Sequence, residues 1–143
     1  MHPRFEVVAL DMSPTAVAEL QRVLDEESLK AEVVETDLFH WSALDPFDAV
    51  YEQTCLCALV PEQWTAYERK LASWLDPGGM LYALFMQTGK SGGPPFHCDL
   101  SAMAELFSRD RWLWPDEEPL ETPHPAGIHE LGLILERDGP DSA

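Results

Sequence analysis

Positive charge is scarce in this 143-residue chain, where 9 Lys and Arg stand against 26 Asp and Glu for a formal net charge of −17. A field of that sign repels phosphate backbones and anionic membrane surfaces, so no nucleic acid and no membrane is expected as a partner. Cysteine is scarce too. Cys55, Cys57 and Cys98 are odd in number, and a Cys-x-Cys beside a strand suits reduced thiols better than a disulfide framework. None of the five histidines stands at metal-ligand spacing from another ligand, and no metal is expected. Long apolar runs are missing: nothing approaches the ~20 residues that cross a bilayer, and no basic stretch followed by an apolar one opens the chain. These absences lead to the expectation of a soluble cytoplasmic protein. What is present is 45% hydrophobic content with five Trp, six Phe and three Tyr, enough for one domain with a real core.

Short apolar runs alternate with amphipathic segments, as in βα units. Phe5 to Leu10 reads as a first strand. Ser13 can cap the next helix and Pro14 suits its first turn, after which Val17, Leu20, Val23 and Leu24 recur at helical spacing until about Glu27. Ala31 to Thr36 reads as a second strand and Phe47 to Glu52 as a third. Pro61 opens a helix whose Trp64, Tyr67, Leu71, Trp74 and Leu75 line one face, with Glu62, Glu68, Arg69 and Lys70 left to water. Leu75-Asp-Pro-Gly-Gly stops it and turns the chain into a buried central strand from Met80 to Met86. A glycine- and proline-rich loop, a helix from Ser101 to Phe107 and a short strand at Trp112 to Trp114 follow. An acidic, proline-rich loop from Pro115 to Pro125 and a strand from Ile128 to Glu136 end the order. The spacing predicts one domain over 1–137 and a frayed, disordered tail over 138–143.

The first strand runs straight into Asp11-Met-Ser-Pro. In doubly wound α/β domains an acid at the end of the second strand accepts hydrogen bonds from ribose hydroxyls, roughly 20 residues after a glycine-rich loop. The acid is here, but the strand and loop that should precede it would fall before Met1.

The βαββαβ order with an antiparallel pair at the carboxyl end resembles the class I S-adenosylmethionine-dependent methyltransferases, and within them the thiopurine and thiol/halide methyltransferase family. Four pieces carry the resemblance: Val7-Val-Ala-Leu-Asp-Met-Ser-Pro-Thr-Ala-Val; Thr36-Asp-Leu-Phe; Phe47-Asp-Ala-Val-Tyr-Glu-Gln-Thr-Cys-Leu-Cys-Ala-Leu with Leu75-Asp-Pro-Gly-Gly; and Gly92-Gly-Pro-Pro-Phe. The last is the most particular to the family. The resemblance implies a Rossmann-like, mostly parallel sheet with a C-terminal antiparallel strand, incomplete at the N-terminus because a central strand and the glycine loop are not in the sequence. It implies S-adenosylmethionine as cofactor and a small-molecule acceptor, with a homodimer or a completing N-terminal segment as expected partners. The isolated chain is then expected to hold the cofactor weakly.

Residue by residue, the resemblance places Asp11, followed by Met12, at the ribose, Asp37 at the adenine amino group and Leu38 and Phe39 on the ring. Glu52 falls beside the methionine moiety, and Gln53, Thr54, Pro95 and Phe96 on the acceptor. Bland readings stand beside these: Asp11 as a helix-capping acid, Asp37 as a turn residue, Gly92-Gly-Pro-Pro-Phe as a tightly packed loop, Cys55 and Cys57 as core fillers. Relatives carry Asp where Glu52 stands and often Arg or Tyr where Gln53 stands, which leaves the acceptor open. Trp41, Phe96 and Trp114 are candidate apolar walls. The implied reaction is methyl transfer to a small soft nucleophile, a thiol, thiopurine or halide-like acceptor. The alternative is a non-catalytic module acting through protein contacts, and a dehydrogenase would share the ribose acid but leave Gly92-Gly-Pro-Pro-Phe unexplained.

Overall fold

The structure, a computed structural model, describes residues 5–139, and the chain divides into two compact units, Met1–Ser42 and Ala43–Ala143. The first is a βαβ unit: β1 (Val8–Asp11), α1 (Pro14–Glu26) and β2 (Glu32–Glu35). Ser13 caps α1 as its sequence predicts, its hydroxyl accepting the Ala16 N–H at 3.2 Å, with Pro14 in the first turn. Beyond the helix Ser28 takes a left-handed φ of 55° and reverses the chain. β1 and β2 pair in parallel with Leu10 opposite Val34 and Asp11 opposite Glu35. The expected first strand begins later than Phe5, because pairing starts only where Glu32 donates to the Val7 carbonyl at 2.9 Å.

The second unit holds β3 (Phe47–Gln53), α2 (Trp64–Trp74), β4 (Leu75–Gln87), α3 (Leu100–Leu106), β5 (Trp112–Leu113), β6 (Leu120–Pro123) and β7 (His129–Arg137). Its sheet order is β3-β4-β7-β5, with β6 also on β7. β3 and β4 are parallel, and β7 runs antiparallel to β4, β5 and β6. The sheet is therefore mixed, and its antiparallel carboxyl-terminal strand is the expected one. Three readings differ. β4 begins at Leu75, directly out of α2, and a register shift opposite Phe47 and Ala49 absorbs Asp76 to Gly79 where a turn was expected. β6 lies inside the acidic segment read as loop. Glu68, expected in water, is 3% exposed.

The reason for Glu68 lies 43 residues on: its carboxylate accepts Arg111 Nε at 3.0 Å and the Trp112 indole N–H at 2.7 Å, so the charge is paired as it is buried. Leu71, Leu81, Phe85, Phe107, Trp112 and Leu135 form the core, with Phe107 edge-on to Trp112 at 5.6 Å. Alternation along β4 sends Leu81, Ala83 and Phe85 into this core and Tyr82 to the other face. Of the expected tail, Asp138 donates its N–H to the Arg111 carbonyl at 2.9 Å, and 140–143 lie outside the described residues.

Candidate functional site

In the first unit Asp11 ends β1 with an exposed side chain. Its Oδ1 accepts the Ser13 N–H at 2.8 Å, which fixes the turn into α1, and among the described residues Oδ2 takes no hydrogen bond. The capping and the ribose readings are thus compatible: one oxygen serves each. Met12 is 69% exposed beside it. Asp37 follows β2 and caps the 3-10 turn Leu38–His40, its Oδ1 accepting the Phe39 N–H at 3.0 Å. Leu38 and Phe39 are half-buried, apolar surfaces next to a polar tip.

In the second unit the pleat separates two neighbours that the sequence places together. Glu52 pairs with Ala83 and Gln53 with Leu84, so their side chains leave opposite faces of β3. Glu52 turns to the α2 face and is 3% exposed; Oε1 accepts the Leu56 N–H at 2.6 Å and the Tyr67 hydroxyl at 3.3 Å. It thereby holds the chain that leaves β3. Burial pushes its pKa up to about 7, against the opposing pull of the Leu56, Tyr67 and Cys55 bonds and with a smaller upward push from Glu130. Gln53 faces the other way. Its carbonyl accepts the Tyr51 hydroxyl at 2.7 Å and its amide donates to Glu130 Oε1 at 3.0 Å. Thr54 is exposed and held at a left-handed φ of 54°, a costly conformation for a β-branched residue, with its hydroxyl on the Gln53 carbonyl.

The Gly92 to Phe96 loop docks on this end of the sheet. The Phe96 N–H reaches the Cys57 carbonyl at 2.7 Å, the Cys98 N–H reaches Met86 at 2.8 Å, and the Gln87 amide donates to the Cys98 carbonyl at 2.8 Å. Gly92 has a φ of 78°, and a Cβ on Gly93 would stand 2.7 Å from Phe96 Cγ and from the Pro95 backbone, so only glycine fits there. Pro95 is exposed and Phe96 half-buried. Cys57 and Cys98 are buried, and burial raises their thiols to about 11 and about 12, with the Glu52 charge adding to both. They remain thiols at neutral pH; of the two cysteines read as core fillers, Cys57 is buried and Cys55 half-buried. Trp114 is half-buried and stacks on Phe85 of the core at 6.2 Å. A cleft of about 400 Å³ at the β6–β7 turn is lined by Glu121, Pro123, Gly127, Ile128 and His129, with neither Gln53 nor Phe96 among them.

Sequence reasoning missed Tyr67, which was read as core alone, and Glu130. Only β-sheet topology brings Glu130 to Gln53, across 77 residues of chain, and its sole sequence signal is an acid just ahead of the apolar run Leu131 to Leu135. A candidate metal cluster is not found among the described residues.

The same arrangement of elements occurs in a SAM-dependent methyltransferase from Methanosarcina mazei, with a TM-score of 0.80 at 17% identity over 94% of this chain and 83% of that one. The fold is therefore the Rossmann-like α/β fold of the S-adenosylmethionine-dependent methyltransferases. Residues 2–117 match the thiopurine S-methyltransferase family, and the chain belongs to that family. It is 33% identical over 136 residues to thiocyanate methyltransferase 1 of Arabidopsis thaliana, covering 91% of this chain and 60% of that protein. It is 30% identical over 108 residues to the probable thiol methyltransferase 2 of the same plant, covering 73% and 48%. The chain thus spans about half the length of the curated relatives it matches.

Proposed function

We propose that this protein transfers the methyl group of S-adenosylmethionine to a small soft nucleophile: a thiol, a thiopurine or a halide-like acceptor. The observation that carries the reading is the family match over residues 2–117, which takes in every residue assigned above from Asp11 to Phe96. The first unit fits a nucleoside. Asp11 has an exposed carboxylate oxygen for a diol, and Asp37 with Leu38 and Phe39 offers a polar tip beside apolar surface for a purine. Met12 adjoins the diol and Glu52 shapes the loop on the methionine side. When bound, the cofactor supplies an electrophilic methyl group on a sulfonium. Gln53, Thr54, Pro95 and Phe96 align the acceptor and keep water from it, and a soft nucleophile needs little acid–base help.

In this reading 1–137 work as one domain in the cytoplasm. Among the described residues β1 has β2 alone as its strand partner and β3 has β4 alone, so each keeps an edge that a strand from a second copy or another segment would cover. The test is a calorimetric titration with S-adenosylhomocysteine, followed by a panel of acceptors with labelled cofactor. Transfer to thiols or halides in preference to oxygen and nitrogen acceptors is expected, and Phe96→Ala should impair turnover more than cofactor binding. Transfer to proteins or nucleic acids alone would refute the reading.

A further inference from the structure

Glu130 is the most deeply placed polar group at the carboxyl end of the sheet: its residue is 1% exposed, and Oε2 has no hydrogen-bond partner among the described residues. Its other oxygen is held by the Gln53 amide at 3.0 Å, a bond that spans from β3 to β7 over the intervening β4. The amide cannot turn freely, because the Tyr51 hydroxyl fixes its carbonyl end at 2.7 Å. In register Glu130 stands opposite Met86, and the Met86 carbonyl receives the Cys98 N–H that closes the Gly92 to Phe96 loop. Gln53, Glu130 and the loop therefore converge on one strand end. A buried carboxylate oxygen without a donor carries an unmet desolvation cost, and a ligand that brings a donor removes it.

We propose that Glu130 determines acceptor specificity: its unpartnered Oε2 receives the S–H of a neutral acceptor and works against anions. The assignment rests on the acceptor-side reading of Gln53 and Phe96 given above. Physically, Gln53 is a neutral spacer and Glu130 an acceptor-only group, so the pair rewards a ligand that donates and penalises one that carries negative charge and can only accept. Glu130→Gln inverts this polarity at nearly constant shape, since its carbonyl can keep the Gln53 bond and its NH₂ then replaces Oε2 as a donor.

The test uses the full chain and two probes, thiophenol kept protonated at mildly acid pH and thiocyanate, each titrated with and without S-adenosylhomocysteine. Wild type should prefer the thiol, and Glu130→Gln should move the thiol-to-thiocyanate affinity ratio about tenfold or more toward thiocyanate while S-adenosylhomocysteine affinity stays within about twofold. Tyr51→Phe changes an exposed side chain that the fold does not depend on. It lets the Gln53 amide turn and should move the ratio the same way by about threefold, so an unfolded Glu130→Gln would not remove the test. A ratio unmoved in folded variants, or no thiol binding to wild type, would overturn the proposal and leave Oε2 an unpaired oxygen of the interior. If S-adenosylhomocysteine fails to bind and no methyl is transferred, the methyl-transfer reading falls instead, and the probe ratio without cofactor still decides Glu130.

Discussion

Stability of the carboxy-terminal unit should fall as pH rises, and Glu52 sets how much. Its side chain is 3% exposed and bound to the Leu56 N–H and the Tyr67 hydroxyl, yet burial outweighs those bonds and lifts its pKa from 4.5 to about 7. Unfolding returns the group to water and to the ordinary carboxyl range, so the folded state holds the proton more tightly. Stability from that proton is complete below about pH 4.5 and is lost as pH climbs through about 7. At about 1.4 kcal/mol per pKa unit the loss is about 3 kcal/mol, or roughly 10 °C in Tm for a chain of this length. The net charge of −17 adds an acid-favouring background of its own, which the comparison must remove. Glu52→Gln does so, because it keeps the shape and cannot titrate. Thermal unfolding followed by circular dichroism from about pH 5 to about pH 8.5 should show the variant gaining about 3 kcal/mol on wild type, with most of the gain before about pH 7.5. Parallel curves for the two proteins would refute the reasoning: the proton would then be bound equally well in both states, and the burial of Glu52 would not cost what its surroundings imply.

Asp11→Ala should lower S-adenosylhomocysteine affinity by about ten- to hundredfold, the cost of two ribose bonds, with little change in Tm because the side chain is exposed. Calorimetry on the folded variant decides it, and an affinity within about twofold of wild type would return Asp11 to its capping role alone. Gly93→Ala forces a methyl to 2.7 Å from Phe96 Cγ and the Pro95 backbone, so acceptor turnover should drop about tenfold or more while cofactor affinity holds. Normal turnover would show that the loop yields and that its shape does not align the acceptor.

Local chemistry carried most of the fold from sequence. Ser13 and Pro14 announced α1, and the Pro61 periodicity announced α2, because capping and helical spacing act within a few residues. β6 was illegible for the opposite reason: Leu120-Glu-Thr-Pro has one large apolar residue and a terminal proline, and it becomes a strand only because β7 offers it an edge. Glu68 looked solvated since nothing near it in sequence announces Arg111 and Trp112. The site divides along the same line. Asp11, Asp37 and the Gly92 to Phe96 loop stand out through strand ends and glycine content, whereas the opposite facing of Glu52 and Gln53 needed the pleat, and Glu130 needed the pairing of β4 with β7.

The crowding at Gly93 bears on what the Gly92 to Phe96 motif can tell a reader of genomes. A position whose next atom would collide with Phe96 and the Pro95 backbone is held by space, in any protein that keeps this corner, whether or not it still moves a methyl group. The motif is thus a certificate of shape. Gln53 and Glu130 are set by the hydrogen bond between them and not by a collision with backbone, so a shape-keeping change there bears on which molecule is welcome before it bears on the loop. Sorting this lineage by chemistry should therefore weigh those two polar positions above the glycines and prolines that make it recognisable.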